Sequence, residues 1–139
     1  MLVKQLSVFM ENRKGRLRHL TSTLGRNGID LVTLSIADTK DYGIVRFIAR
    51  DNEKALSVLK QEGFTVGVTE LIGVEVGDTA GALADVLRIL DDADIGVEYL
   101  YSFARSEDSA KILLRVQEPE NAVQLLEQNG VKTLSEKII

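Results

Sequence analysis

An internal repeat constrains this chain more than any other feature. Gly15-Arg16-Leu17, Leu24 and Ile29 overlay Gly81-Ala82-Leu83, Leu90 and Ile95 at a constant shift of 66 positions. Ala55, Leu59 and Gly63 overlay Ala122, Leu126 and Gly130 at a shift of 67. One residue is therefore inserted between the two groups, and Lys40–Gly43 against Glu107–Lys111 is the place for it, because a hairpin loop tolerates a change of length. A chain of 139 residues with that period reads as two similar units, expected at residues 1–69 and 70–139.

Within the first copy, Val3–Met10 reads as a strand. Gly15–Asn27 carries Leu17, Leu20 and Leu24 at helical spacing, and Gly28 is placed to close that helix in the left-handed conformation. Leu31–Ala37 and Ile44–Ala49 are β-rich runs separated by Asp38, Lys40, Asp41 and Gly43, the pattern of a hairpin. A second helix, Asp51–Gln61, starts at the capping cluster Asp51-Asn52-Glu53 and buries Ala55, Leu56 and Leu59; Phe64–Val68 is a fourth strand. The second copy follows as strand Leu71–Val76, helix Gly81–Ala93, strands Val97–Ala104 and Ile112–Val116, helix Pro119–Asn129 and strand Val131–Ile138. Each copy has the order βαββαβ, which predicts an α+β protein of two ferredoxin-like modules, with antiparallel sheets and helices on one face. No Pro/Gly/Ser linker separates them, and Phe64–Val76 is strand-like almost throughout. Units of about 65 to 70 residues have thin cores, so the two are expected to stabilise each other.

Composition narrows the chemistry. No cysteine occurs, which removes disulfides, thiolate catalysis and cysteine-held metals. The N-terminus mixes Lys4, Gln5 and Ser7 with apolar residues, and no window reaches transmembrane length, which points to a cytoplasmic protein away from membranes. A net charge of −4 disfavours nucleic acid as a partner. That charge is unevenly shared: Met1–Val68 holds 11 basic and 7 acidic residues, whereas Thr69–Ile139 holds 6 and 14. Two solvated surfaces, or complementarity between lobes or subunits, both account for the asymmetry. His19, the only histidine, lies off the leucine stripe of its helix, where it has no evident catalytic partner. Asp91, Asp92 and Asp94 lack the spacing of a calcium loop, and no metal is expected. Tyr99, Tyr101 and Phe103 alternate, so they are expected to share a face, in a core or subunit interface rather than under stacked bases.

The informative places are two strand-to-helix turns at equivalent positions, Asn12-Arg13-Lys14-Gly15-Arg16-Leu17 and Asp78-Thr79-Ala80-Gly81-Ala82-Leu83. Each puts a short polar side chain at the end of a strand and a glycine at the start of a helix whose first amides point outward. Such a turn either simply caps the helix or receives a carboxylate, with Asn12 or Asp78 accepting from an ammonium group.

In this setting the second turn resembles the signature of the ACT domain family, whose commonest form runs Asp, a variable residue, Pro, Gly, a variable residue, Leu. Asp78-Thr79-Ala80-Gly81-Ala82-Leu83 matches it except that Ala80 stands for proline. In the first copy Asn12 replaces the acid and Lys14 the proline, so Gly15 and Leu17 carry the match. Gly28-Ile29 and Ile95 resemble the family's helix-to-second-strand junction. The chain is especially similar to stand-alone tandem ACT proteins, including the stretch Glu98–Ala104. This resemblance implies a regulatory protein without catalysis or cofactor that binds a free amino acid at interfaces between paired modules, the glycine turn of one facing strands of another. By position, the implied contacts are Asn12, Arg13, Lys14, Gly15, Arg16 and Leu17, and Asp78, Thr79, Ala80, Gly81, Ala82 and Leu83. Ser35, Ile36 and Ala37, and Tyr101, Ser102 and Phe103, are the second-strand contributors. A chain of this kind is expected to dimerise and to act on a regulated enzyme or regulator. The alternative is a constitutive regulatory subunit of an amino-acid metabolic enzyme, with no ligand of its own.

Overall fold

The computed structural model describes residues 2–38 and 41–135. Lys40 of the first hairpin loop and the last residues of the expected strand Val131–Ile138 lie outside the described residues. In chain order the elements are β1 (Val3–Glu11), α1 (Arg16–Arg26), β2 (Leu31–Asp38), β3 (Tyr42–Ala49), α2 (Asn52–Gln61), β4 (Thr65–Gly77), α3 (Ala82–Asp92), β5 (Val97–Arg105), β6 (Ser109–Val116), α4 (Pro119–Gln128) and β7 (Lys132–Leu134). Two compact units result. Of the described residues, those within 4–69 compose one, and 2–3 with 70–135 compose the other.

In the first unit the strand order is β2-β3-β1-β4. β1 and β2 both run antiparallel to β3, with Leu6 and Leu34 opposite Phe47 and Val8 and Ile36 opposite Val45. Opposed residues share a face. Leu6, Val8, Val45 and Phe47 thus meet Leu20 and Leu24 of α1 and Ala55 and Leu59 of α2 in one buried core. Asp51 caps α2 by accepting from the Lys54 amide at 3.0 Å. Asn52 accepts from the Ala49 amide at 2.9 Å and donates to the Lys4 carbonyl at 3.0 Å, which fastens that helix start to two strands.

The second unit repeats the order as β5-β6-β4-β7, with β5 and β6, β6 and β4, and β4 and β7 all antiparallel. Ile72, Val74, Ile112, Leu114 and Val116 pack against Val86 and Leu90 of α3 and Ala122, Val123 and Leu126 of α4. The chain is therefore α+β with two ferredoxin-like modules. Phe64–Val76, strand-like almost throughout in the sequence, becomes the single 13-residue strand β4, Thr65–Gly77.

Among the described residues the four helices close alike, on a residue with positive φ followed by an amide that donates five residues back. Ile29 donates to Leu24, Phe64 to Leu59, Ile95 to Leu90 and Val131 to Leu126, at 2.9 to 3.0 Å. Gly28, Gly63 and Gly130 supply the left-handed residue in three of them. Asp94, φ 59°, supplies it in α3, a conformation that Asp tolerates better than most residues with a Cβ.

Glu75 ties three strands of the second sheet together. Lys132 Nζ on β7 lies 2.7 Å from its carboxylate, and Ser109 Oγ on β6 donates to it at 2.9 Å. The Lys132 ammonium, then the Ser109 hydroxyl, hold the Glu75 carboxyl below its ordinary range. A folded-state pKa lowered in this way contributes stability that is present above the ordinary carboxylate value and lost as pH falls through the lowered one. Glu75→Gln should therefore lower the melting temperature at neutral pH and converge with the parent protein in acid. A gap that stays constant across a pH series of melting curves would mean that the tie is not ionic.

Candidate functional site

Both strand-to-helix turns are built from the same backbone bonds. In the first, the Asn12 amide donates to the Asp41 carbonyl at 3.0 Å, the Arg16 amide to Arg13 at 3.2 Å and the His19 amide to Gly15 at 3.0 Å. In the second, Asp78 donates to Asp108 at 3.1 Å, Ala82 to Thr79 at 3.2 Å and Asp85 to Gly81 at 3.0 Å. The N-cap residues Gly15 and Gly81 have φ 89° and 87°, a left-handed conformation that strains any L side chain. Glycine also brings no side chain to the outward amides of the first helical turn, which are left for another acceptor.

The two turns differ in charge. The first turn of α1 holds no acid, whereas α3 carries Asp85 there. At the first turn, Arg13 pairs with Glu11 at 3.7 Å in a mostly exposed contact of little energetic weight. Arg16 is different. Its Nε is buried with no hydrogen-bond partner, and its guanidinium carbon lies 5.9 Å from the ring centroid of Phe64, on which His19 also stacks at 5.1 Å. At the second turn the Asp78 carboxylate is already engaged, accepting from Arg105 Nε at 3.2 Å and Nη2 at 3.1 Å.

A cavity of about 230 Å³ opens at the first turn. Buried Met10 and Val45 form its floor with Gly43, half-exposed Leu17 and Ile36 its apolar rim, and Glu11, Asn12, Arg13 and Arg16 its polar side. Of the residues implicated by the sequence, it brings together Asn12, Arg13, Arg16, Leu17 and Ile36. Lys14 and Gly15 shape the turn without lining the cavity. Ser35 and Ala37 stand opposite Arg46 and Ile44, on the face of the sheet away from Phe47 and Val45. In the second unit, Leu83 packs on the core while Thr79, Ala80, Gly81 and Ala82 complete the turn. Ser102 lies opposite Ile112, on the helix-covered face. Tyr101 lies opposite Leu113 and so points to the other face, and Phe103 falls at a register irregularity between Ser102 and Ala104.

Met10, Gly43 and Val45 escaped the sequence reading as cavity residues, because only the pairing of β1 with β3, which sets Gly43 opposite Met10, brings them together. Arg105 and Phe64 escaped it too, since each meets its partner only through the folded topology. Among the described residues, no group of three or more His, Cys, Asp or Glu is arranged to hold a metal, and no helix is long and apolar enough to cross a membrane.

The sequence matches the family model of the ACT domain pair over residues 1–139. Among solved structures, a protein from Bacteroides thetaiotaomicron is similar at 37% identity and a TM-score of 0.91, over 98% of this chain and 94% of that one. The ligand-free regulatory subunit of aspartate kinase from Thermus thermophilus shares 16% identity with a TM-score of 0.63, over 90% and 91% of the two chains. Aspartokinase III of E. coli, solved in complex with lysine and aspartate, shares 18% identity with a TM-score of 0.52, over 92% of this chain and 31% of that one. A comparison with the curated proteins finds no match.

Proposed function

As this chain belongs to the ACT domain pair family over its residues 1–139, we propose that it is a non-enzymatic regulatory sensor that binds a free amino acid at the first strand-to-helix turn. The observation that carries this reading is the convergence of Asn12, Arg13, Arg16, Leu17 and Ile36 on one small cavity at a helix start capped by glycine. The outward amides and helix dipole of α1 receive the ligand's α-carboxylate, and the rim of Leu17 and Ile36 takes its carbon skeleton. A space of about 230 Å³ lies below the range of drug-sized pockets and suits a single amino acid. Aspartokinase III, a neighbour in fold, was solved with amino acids bound.

Signalling follows from assembly. β2 ends the strand order of its sheet and carries Leu34 and Ile36, 42% and 47% exposed, beside the cavity. A second copy of the chain pairing there completes the site in a cytoplasmic homodimer. Ligand then favours the paired state by its differential affinity, and a regulated enzyme of amino-acid metabolism or another regulator reads that state. The Asp78–Arg105 pair favours a second reading, a constitutive regulatory subunit whose sites are closed by its own side chains.

Thermal unfolding against each of the twenty amino acids at millimolar concentration separates the two. A ligand at about 100 times its Kd stabilises the native state by about 2.7 kcal/mol, a rise of several degrees in a protein of this size. A rise confined to one or a few amino acids is the expected result; no rise with any of them would leave the constitutive subunit.

A further inference from the structure

We propose that the ligand of the first turn is an acidic amino acid, with a second carboxylate held by Arg16; this rests on the reading of that turn as an amino-acid site. Every free amino acid brings an α-ammonium, whose natural partner is an acid of the site, and an acidic one adds a net negative charge, which a site short of acids and rich in cations favours. Asp78 has the right chemistry at the second turn, where Arg105 already holds it. The first turn has Asn12, an uncharged amide, in the same place. Its one lining carboxylate, Glu11, is paired with Arg13.

What remains at this cavity is positive. α1 contributes the positive end of its dipole with no acid in its first turn, and Arg16 contributes a guanidinium whose Nε is buried and without an acceptor. These are two separate anion-seeking centres on one small space. A guanidinium held against an aromatic ring presents a planar fork of donors that matches a carboxylate. One carboxylate of the ligand meets the helix amides and the other meets Arg16, while Met10, Val45 and Ile36 border the short methylene chain between them. Residues 1–68, which hold the site, carry 11 basic against 7 acidic residues, so the longer-range field has the same sign. A lysine ligand would add a cation beside Arg13 and Arg16 and is disfavoured by the same charges.

The test is calorimetric titration of the full chain with L-aspartate and L-glutamate, beside L-asparagine, L-glutamine, L-lysine and succinate. The acids should bind at least about tenfold more tightly than their amides, which corresponds to about 1.4 kcal/mol. Arg16→Gln should abolish that preference, whereas Arg105→Gln, away from this turn, should leave it within about twofold. Amides that bind as tightly as the acids, or tighter binding of lysine, would overturn the acidic ligand while leaving an amino-acid sensor. Succinate equal to aspartate would make the site one for dicarboxylates, not amino acids. If Arg16→Gln does not fold, the acid-to-amide ratio on the unaltered chain decides alone. Binding of none of the six would remove the acidic ligand; a negative thermal screen of all twenty would remove the sensor as well.

Discussion

Phe47→Ala should destabilise the first unit by about 3 to 5 kcal/mol, the range for truncating a buried aromatic whose surroundings relax only partly. Phe47 is fully buried on β3, with Leu6 of β1 opposite it on one side and Leu34 of β2 on the other. Leu20, Leu24, Ala55 and Leu59 close the same core from the helices. No polar atom of the ring sought a partner, so the cost is transfer and cavity without a hydrogen-bond term. Domains are stable by about 5 to 15 kcal/mol, and a loss of this size removes a large part of that margin. Urea unfolding checks it: the midpoint should fall with little change in slope. A loss below about 1 kcal/mol would mean that the helices settle into the void.

Gly73→Val should also destabilise, by about 3 kcal/mol, although valine is the better strand residue. Gly73 sits mid-strand in β4, where a glycine ordinarily weakens the sheet. A Cβ built there would lie 3.1 Å from Leu134 Cβ and 3.4 Å from Val3 Cγ2, with Leu134 and Val3 both fully buried. Strand propensity spans about 1 kcal/mol, whereas overpacking a well-filled core costs about 1 to 3 kcal/mol, so the clash wins once valine's two methyl groups are added to a Cβ already in tight contact. The same urea experiment reads the result. A variant as stable as the parent would show that β7 moves away from β4 at little cost.

The repeat was legible because both units use the same residues for the same local tasks. Gly28, Gly63 and Gly130 end helices with positive φ, and Gly15 and Gly81 start them, so glycine spacing alone marks most of the helix ends. Asp94 stands where the overlay places Gly28, and its left-handed backbone is hidden in a run of acids. The turns were legible for the same local reason. The cavity was not, because it depends on a register between β1 and β3 and on Arg16 lying over Phe64, 48 positions away in the chain. At β5, Tyr99 and Tyr101 keep one face as alternation predicts, and the irregularity between Ser102 and Ala104, which no alternation rule foresees, interrupts the register at Phe103.

The continuous strand β4 restricts how such a gene can change length. Val66 packs against the first core, and Ile72 and Val74 lie in the second, so each core draws on even-numbered residues of one strand. A single codon gained or lost between Val66 and Ile72 shifts one set to the wrong side of the pleat, since side chains alternate with period two. Codon changes there come in pairs or need a bulge to restore the parity. The one-residue difference between the copies lies not in the hairpin loops, as the sequence suggests, but inside β5, which has nine residues to the eight of β2 and takes up the extra one at the irregularity between Ser102 and Ala104.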